Sequence, residues 1–375
     1  MLLIADIILP FLAVALVFLA YIIISPPNSH SRDTVTDLTN GWYGEDGTEY
    51  SLSGLPEGDI VLSRDISGID KRNRNLCMKS DDTWIEIYYD GQPEYRYAPE
   101  QASVYGASYG YYVHIVSIPQ DANELTLKLH PVYNGRVPLV SSVCIDETAV
   151  FLTRLYHQGT FSFLICLIML GFGIIMLIMG FTSRELNEMK MLNFFALGSL
   201  SVLVALWSVN DTYLLQAYTN HPECIKMLTY ISLILISYPP VSFMASATHN
   251  RKSKLLPVMI SLVFLNLLLN FILAVTGTAD PHDLLFISQA NIGISMLMVI
   301  SLMVKAIKNK SANKVFVRMT ITGMTSAIIG VSTDLIRYWV NQDNDSSSST
   351  FTQLGVLLFL FSSGASVITE GRIAS

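Results

Sequence analysis

The chain has 375 residues, of which 51% are apolar and 14% are charged, and its formal net charge is −7. Soluble globular proteins carry about 25% charged residues, so a chain of this length has too little charge to cover a water-facing surface. The composition therefore predicts a membrane protein. It excludes a disordered or collagen-like chain, and the negative net charge argues against nucleic acid as a partner.

The first predicted element is an apolar run over Leu2–Ser25, which is long enough to cross a bilayer. A signal peptide begins with a basic region, but no Lys or Arg precedes this run and Asp6 lies within it. We therefore predict an uncleaved transmembrane anchor at residues 1–25, with a cleaved signal peptide as the alternative. The Ser-, Asp- and Pro-rich residues 26–39 are predicted to form a linker.

Residues 40–157 are predicted to form an extracytoplasmic all-β domain. Between positions 26 and 157 the chain carries 19 acidic and 10 basic residues, which is typical of a water-facing segment. Apolar and polar residues alternate in short runs separated by turn residues such as Asp90-Gly91, and this pattern is typical of an antiparallel sandwich. The clearest predicted strands are Asp59–Leu62, Thr83–Tyr88, Tyr111–Val116, Glu124–Leu129 and Val140–Ile145.

Eight tyrosines crowd the stretch from position 88 to position 112. Tyrosine packs well in strands, so structural packing is one explanation. The functional alternative is an aromatic platform that stacks on a sugar or another flat polar ligand. Under this alternative the ligand-binding residues are Tyr95, Tyr97, Tyr105 and Tyr109.

Two cysteines of this domain, Cys77 and Cys144, would lie in a compartment where disulfides persist. They can form one disulfide between distant strands or stay as buried free thiols, because the sequence gives no distance between them. His114 and His130 have no second histidine or cysteine at a ligand spacing, so we predict no metal site.

Seven further apolar spans follow His157 and predict a seven-transmembrane domain at residues 158–370, with a short tail at 371–375. The spans are Gly159–Phe181, Met191–Val209, Ile225–Ala247, Leu255–Val275, Leu284–Ile307, Phe316–Val340 and Phe351–Thr369. In the third span, Pro239-Pro240 breaks the helical hydrogen-bond ladder and predicts a kink. A stripe of small residues around Gly330 allows close packing of the sixth span.

The loops between these spans alternate in charge. The first, third and fifth loops carry Lys and Arg, whereas Asn210–Glu223, Thr276–Asp283 and Asn341–Thr350 carry neither. Positive loops remain in the cytoplasm. The alternation therefore predicts a multi-pass protein of the cytoplasmic membrane with the β-domain outside and the C-terminus inside.

Polar residues within the spans are costly unless they are paired or face a cavity. Asp334 and Arg337 lie one turn apart on the sixth span, so we expect them to form an ion pair. The functional alternative to such local pairing is a polar pocket in the outer half of the bundle, or a surface on which the β-domain docks. The candidate cluster is Asn210, Asp211, Asn270, Asn291, Asp334 and Arg337.

The order of an anchor, an exported β-domain and seven helices resembles the bacterial seven-transmembrane receptors with diverse intracellular signalling modules. The likeness covers nearly the whole chain and implies a jelly-roll-like exported domain. Family members usually continue into a cyclase, kinase or phosphatase module, which we expect either to be absent here or to follow Ser375 in a longer form. The motifs are Trp42 before Asp46-Gly47, Tyr88-Tyr89-Asp90-Gly91 before Tyr95, and the strand that ends at Ile118-Pro119.

The predicted function is a transmembrane signalling receptor that senses an extracytoplasmic ligand and passes the change to a cytoplasmic partner or output module. The alternative is a transporter or channel with an accessory domain. The sequence has no Walker A, zinc-protease or nucleophile-elbow motif, so we predict that the chain is not an enzyme and assign no catalytic residue and no cofactor. The expected partners are a small polar ligand such as a carbohydrate and the lipid bilayer, and a homodimer is left open.

Overall fold

The computed structural model describes residues 35–98, 106–107, 110–182, 188–217, 219, 221–248, 253–309, 314–340 and 349–373. The predicted N-terminal anchor and most of the linker lie outside these residues, as do Tyr105 and Tyr109.

Residues 36–146 form a β-sandwich-like domain of two sheets, which confirms the predicted all-β segment. Its strands are β1 (Thr36–Asp37), β2 (Trp42–Gly44), β3 (Glu49–Tyr50), β4 (Ile60–Asp65), β5 (Asn75–Asp81), β6 (Thr83–Tyr89), β7 (Gln92–Tyr97), β8 (Tyr112–Ser117), β9 (Glu124–Pro131) and β10 (Leu139–Asp146). One sheet has the order β1-β10-β5-β8 and the other the order β3-β2-β4-β9-β6-β7. Neighbouring strands pair antiparallel throughout both sheets.

Strand β6 shows how the alternating pattern builds the core of the sandwich. Ile85 and Ile87 are fully buried in the apolar cluster between the sheets, whereas Trp84 lies on the opposite face and is partly exposed. The chain then turns at Asp90-Gly91, where both residues have the positive φ (49° and 76°) that a two-residue hairpin turn requires. The hairpin and its register therefore follow from the local sequence.

Eight α-helices are described after the last strand. They are α1 (Thr148–Thr182), α2 (Glu188–Ser208), α3 (Pro222–Ile236), α4 (Tyr238–Ala247), α5 (Leu255–Thr276), α6 (Leu285–Asn309), α7 (Lys314–Val340) and α8 (Thr350–Ile373). They supply six apolar spans that are long enough to cross a membrane, while α8 is apolar over the shorter stretch Thr350–Gly364. Six of the predicted spans are thus confirmed, and the seventh stays a prediction.

The first helix begins earlier than the sequence suggested. Helix α1 starts at Thr148, directly after β10, and runs for 35 residues. The boundary predicted at His157 therefore lies inside a helix. Phe151 and Leu155 are one turn apart and pack into a small apolar cluster at the base of the β-domain, which explains why these residues fold as helix rather than as part of the sandwich.

The third span is broken, as its two prolines predicted. Helix α3 ends at Ile236 and α4 begins at Tyr238, so Ser237 lies at the break. Proline has no N–H to donate, and its ring collides with the preceding turn, which frees a backbone carbonyl. Pro239 and Pro240 therefore cannot donate to the carbonyls of Leu235 and Ile236. The Ser237 carbonyl at the break accepts a hydrogen bond at 2.6 Å from the hydroxyl of Ser295 on α6.

Helices α7 and α8 pack closely against each other along the small-residue stripe. A side chain at Gly330 would collide with the carbonyl of Phe351, and a side chain at Gly355 would collide with that of Ser326. The hydroxyl of Ser326 donates to the Gly355 carbonyl at 3.2 Å. The predicted close packing of the sixth span is confirmed, with α8 as its partner.

Candidate functional site

A cavity of about 280 Å³ lies inside the helix bundle at the end that faces the β-domain. Its walls come from α2, α3, α4, α6, α7 and α8, and its roof from the turn between β5 and β6 and from Gly110-Tyr111. Most of the lining is apolar, as in small-molecule binding sites. Polar side chains are concentrated near the roof and at the start of α8.

The roof of the cavity is held by an ion pair between the two parts of the molecule. Lys226 on α3 places its Nζ 2.6 Å from Oδ1 of Asp82 in the β5–β6 turn, and the two side chains are only 11% and 17% exposed. The same Nζ lies 3.5 Å from the hydroxyl of Tyr133. A buried amine is stable only when it is paired and hydrogen-bonded, so this contact fixes where α3 meets the β-domain.

A second junction beside the roof is built around Asp280, in the connection between α5 and α6. Its carboxylate accepts hydrogen bonds from the backbone N–H of Ala107 at 2.8 Å and from the hydroxyl of Tyr133 at 3.0 Å. The Tyr133 ring stacks on His282 with 4.2 Å between ring centroids. Burial, followed by the nearby Asp82 carboxylate, raises the pKa of Tyr133, so the hydroxyl keeps its proton and acts as donor. Burial lowers the pKa of His282, which favours the neutral ring.

A third junction joins the base of the sandwich to α1. Asp146, at the end of β10, forms an ion pair with Arg154 on the second turn of α1. Lys79 of β5 lies over the ring of Tyr213, with 4.4 Å between its Nζ and the ring centroid. The β-domain is therefore attached to the bundle through α1, α3, the connection between α2 and α3, and the connection between α5 and α6.

The two cysteines of the β-domain lie directly opposite each other in the register of β5 and β10. Both are buried free thiols. Burial raises the pKa of Cys77, and it raises that of Cys144 to about 11, so both stay protonated. The geometry brings the pair together without an S–S bond, and the disulfide stays a prediction.

The acidic residues inside the bundle cap a helix. Asp211 accepts a hydrogen bond from the backbone N–H of Ser349 at 3.0 Å, and Asp334 accepts one from that of Thr352 at 2.6 Å. The first N–H groups of a helix have no partner within it, and a carboxylate there is further stabilised by the helix dipole. The expected ion pair is present, with 3.8 Å between Asp334 and Arg337, but the closer partner of Asp334 is the start of α8.

The predicted polar cluster is divided between two places. Asn210, Asp211, Asp334 and Arg337 line the cavity. Asn270 and Asn291 lie instead between α5 and α6, where Asn270 donates to the side-chain oxygen of Asn266 at 2.9 Å. In the same region Asn266 donates to Ser288 at 3.1 Å. Asn266 thus forms a hydrogen bond between α5 and α6, while Asn270 bonds to Asn266 within α5, and neither side chain lines the cavity.

The described members of the predicted tyrosine platform contact a buried histidine. Tyr95 places its hydroxyl 3.1 Å from Nδ1 of His114, and Tyr97 stacks on Tyr112 with 4.4 Å between centroids. The other ring nitrogen of His114 lies 2.8 Å from the hydroxyl of Ser80. These contacts agree with the packing explanation, and the role of Tyr95 and Tyr97 in ligand binding stays a prediction, as does that of Tyr105 and Tyr109.

Sequence reasoning missed the contacts that join the two parts of the molecule. In the sequence, Lys226 lies near the start of an apolar span, and Asp82 lies 144 residues earlier in the β-domain. The available signal for this ion pair is the position of Lys226 one residue inside a predicted span, because an amine there needs a buried anion as its partner. Nothing in the sequence names that anion, which lies 144 residues away in the chain.

Six long apolar helices with a β-sandwich-like domain at one end define a multi-pass membrane protein. No protein-family model matches the chain, and no curated protein matches it. Across the part of the chain that the structure describes, no group of three or more His, Cys, Asp or Glu side chains could hold a metal ion.

Proposed function

We propose that the protein is a transmembrane signalling receptor whose ligand binds in the cavity beneath the β-domain. The observation that carries the proposal is that one cavity is walled by both parts of the molecule, with Asp81 and Asp82 in its roof and six helices around it. A ligand there contacts the β-domain and the helices at once. It can therefore favour one arrangement of the two over another, which is what transmission through a membrane requires.

The contacts at the ends of the cavity suggest how the change travels. Lys226 joins α3 to the roof. Asp211, in the turn just after α2, and Asp334 on α7 join those segments to the start of α8. A ligand that displaces either set of contacts shifts these helices relative to each other. Because α7 and α8 are packed without room between them, they are expected to move as one unit.

The finer parts of the proposal rest on the sequence. They are a jelly-roll topology, a seventh span formed by α8, the likeness to bacterial seven-transmembrane receptors, and a cytoplasmic partner or output module. The charge alternation of the loops supports a β-domain outside and a C-terminus inside. Reporter fusions after residue 98 and after residue 373 test the sidedness, and an outside C-terminus would contradict it.

A transporter is the second candidate, because the broken span lies at the cavity. Ser237, Pro240 and Ser295 all line it, and transporters often place their substrate where a helix is interrupted. Transport requires the cavity to open towards the other side of the membrane, whereas a receptor requires only a shift in packing. Uptake of a binding solute into proteoliposomes would favour this second function.

The test is a thermal-shift screen of the full chain in nanodiscs against glycans, small polar metabolites and amphiphiles. Leu233→Trp fills the cavity, because Leu233 lines it and is buried. Leu265→Trp is the matched control on an exposed face of α5. We expect a ligand that stabilises the wild type and the control but not the filled variant. Stabilisation that survives Leu233→Trp would place the ligand elsewhere and contradict the proposal.

The response is measured separately from binding. Spin labels on the β-domain and on the far end of α7 report the distance between the two parts, and a receptor is expected to show a ligand-dependent change in the distance distribution. A ligand that binds in the cavity without any change in that distribution would contradict signalling and leave only a binding protein or a transporter.

A further inference from the structure

The helices that wall the cavity are not packed equally tightly against each other. Helix α7 packs closely along α8, but it meets α6 at few points in the described part of the chain. Both α6 and α7 nevertheless line the cavity, through Gln289, Ile292 and Met296 on one side and Val331 and Leu335 on the other. The seam between α6 and α7 is therefore a loosely packed part of the wall.

A second recess of about 520 Å³ lies at the β-domain end of this seam. It is more polar than the cavity, and its lining includes Arg136, Asn134 and Asp283. His282, Leu285, Gln289 and Tyr338 line both spaces, so the recess and the cavity adjoin along the seam.

The recess also reaches the outer apolar surface of the bundle. Phe286 lines it and is 58% exposed, on the same face of α6 as the exposed Leu297 and Val304. Such exposed apolar faces on helices of membrane-spanning length contact lipid. The polar recess, the apolar cavity and the lipid-facing surface thus meet at one place.

A polar atom at this meeting point has no partner. Gln289 Oε1 is buried and makes no hydrogen bond to any described residue, although a buried amide oxygen normally has one. The atom lies in a residue that lines both spaces. It is available to a ligand that passes along the seam.

We propose that the seam between α6 and α7 is a lateral entrance through which a phospholipid places one acyl chain in the cavity and leaves its head group in the recess. The inference rests on the cavity being the ligand site of the proposed receptor. The apolar lining suits an acyl chain, the guanidinium of Arg136 suits a phosphate, and the Gln289 oxygen and Asp283 suit a donor such as an ammonium group. A water-soluble sugar would instead leave most of this lining unused.

The experiment is photocrosslinking of the full chain in nanodiscs of phosphatidylethanolamine and phosphatidylglycerol. A photoreactive amino acid replaces Val331 in the cavity or, as a reference, Ile329 on the exposed face of α7. Lipid adducts are measured by mass spectrometry. We expect adducts at both positions, and an adduct at position 329 but none at position 331 would overturn the proposal.

A matched pair of variants tests the entrance. Leu335→Trp narrows the seam, whereas Ile336→Trp adds the same ring to the exposed face of α7. The first is expected to lower the yield of adduct at position 331 by about tenfold, equal to about 1.4 kcal/mol of occupancy, and the second to leave it unchanged. Equal yields in the two variants would overturn lateral entry.

The head-group position is tested with arginine variants. Arg136→Gln is expected to lower the yield at position 331, while Arg72→Gln, on an exposed arginine of the β-domain, is not. Equal effects would overturn the assignment of the recess. If a water-soluble ligand stabilises the wild type but not Leu233→Trp, and no adduct forms at position 331, the receptor proposal stands and lipid entry is contradicted. If an adduct forms at position 331 but no ligand changes the distance between the spin labels, lipid entry stands and the receptor proposal is contradicted.

Discussion

The β-domain and the helix bundle satisfy their buried polar groups in different ways. In the β-domain, His114 is enclosed by the Ser80 and Tyr95 hydroxyls of nearby strands, at 2.8 and 3.1 Å. In the bundle, Asp211 and Asp334 bond to the backbone at the start of another helix and also face an open cavity. The difference teaches that the buried polar groups of the sandwich are enclosed in a packed core, whereas those of the bundle lie next to an open cavity and can change partners.

The largest expected effect comes from breaking the contact that joins the two parts. Lys226→Met leaves Asp82 buried without its cation, which typically costs about 3–5 kcal/mol. We expect a large fall in Tm and faster hydrogen exchange in the β5–β6 turn. The double variant with Asp82→Asn should recover part of the loss, because no unpaired charge remains. Equal melting of Lys226→Met and the wild type would show that the amine reaches water.

The second prediction concerns a disulfide that would link two strands of the closed core and make it more rigid. Directly opposed residues of antiparallel strands have Cβ atoms about 4.5–5.5 Å apart, close to the separation of about 3.5–4.5 Å in a disulfide. If the β-domain is exported, a thiol–disulfide oxidoreductase is expected to oxidise Cys77 and Cys144, with loss of two hydrogens and a gain of about 2–4 kcal/mol. Intact-mass measurement without reductant checks this. Two free thiols in protein taken from the membrane would contradict it.

The third prediction concerns the capped helix of the bundle. Asp334→Leu removes the acceptor for the Thr352 N–H, and loss of such a cap costs about 0.5–2 kcal/mol. Asp334→Asn keeps an oxygen at that position and should cost less. Arg337→Leu should be milder than Asp334→Leu, because the 3.8 Å ion pair is the weaker contact of the carboxylate. Thermal unfolding of the three variants in one detergent gives the order, and a reversed order would make the ion pair the main contact.

The last prediction concerns how the stability of the β-domain depends on pH through His114. Burial lowers the pKa of His114 from 6.5 to about 3. Because the folded value is the lower one, the unfolded chain takes up the proton first. The stabilisation is complete above about pH 6.5 and is lost as the pH falls, by at most about 1.4 kcal/mol per unit.

The measurement is urea unfolding followed by tryptophan fluorescence, to which the buried Trp42 of the β-domain contributes, at about pH 7 and about pH 5. The wild type should lose more stability between these values than His114→Gln. Equal pH dependence in His114→Gln and the wild type would show that the ring is not held neutral by burial.

The elements that the sequence predicted are those governed by local pattern. Strand β6 and its turn follow from alternation and from Asp90-Gly91, and the break at Ser237 follows from two prolines. The six spans follow from apolar length. None of these depends on knowing which distant segment lies beside them.

The candidate site could not be predicted in the same way, because it is made by contacts between distant segments. Asp211 meets Ser349 across 138 residues, and Lys226 meets Asp82 across 144. Polarity in and beside the spans identified Asp211 and Asp334 but could not separate them from Asn270, which bonds to Asn266 in its own helix. When the side chain that caps a helix comes from a distant segment, the sequence next to that helix gives no sign of it.

The unbroken passage of α1 from the sandwich into the bundle has a mechanical consequence. A helix of 35 residues is about 52 Å long at 1.5 Å per residue, which exceeds the hydrocarbon thickness of about 30 Å. Helix α1 therefore fixes both the height of the β-domain above the membrane and its rotation about the helix axis. One alanine inserted after Leu155 would rotate the domain by about 100° and separate the contacts at Asp82 and Asp280 from their partners. Seven inserted residues would nearly restore the rotation but would move the domain about 10 Å along the helix axis, so these contacts would stay broken.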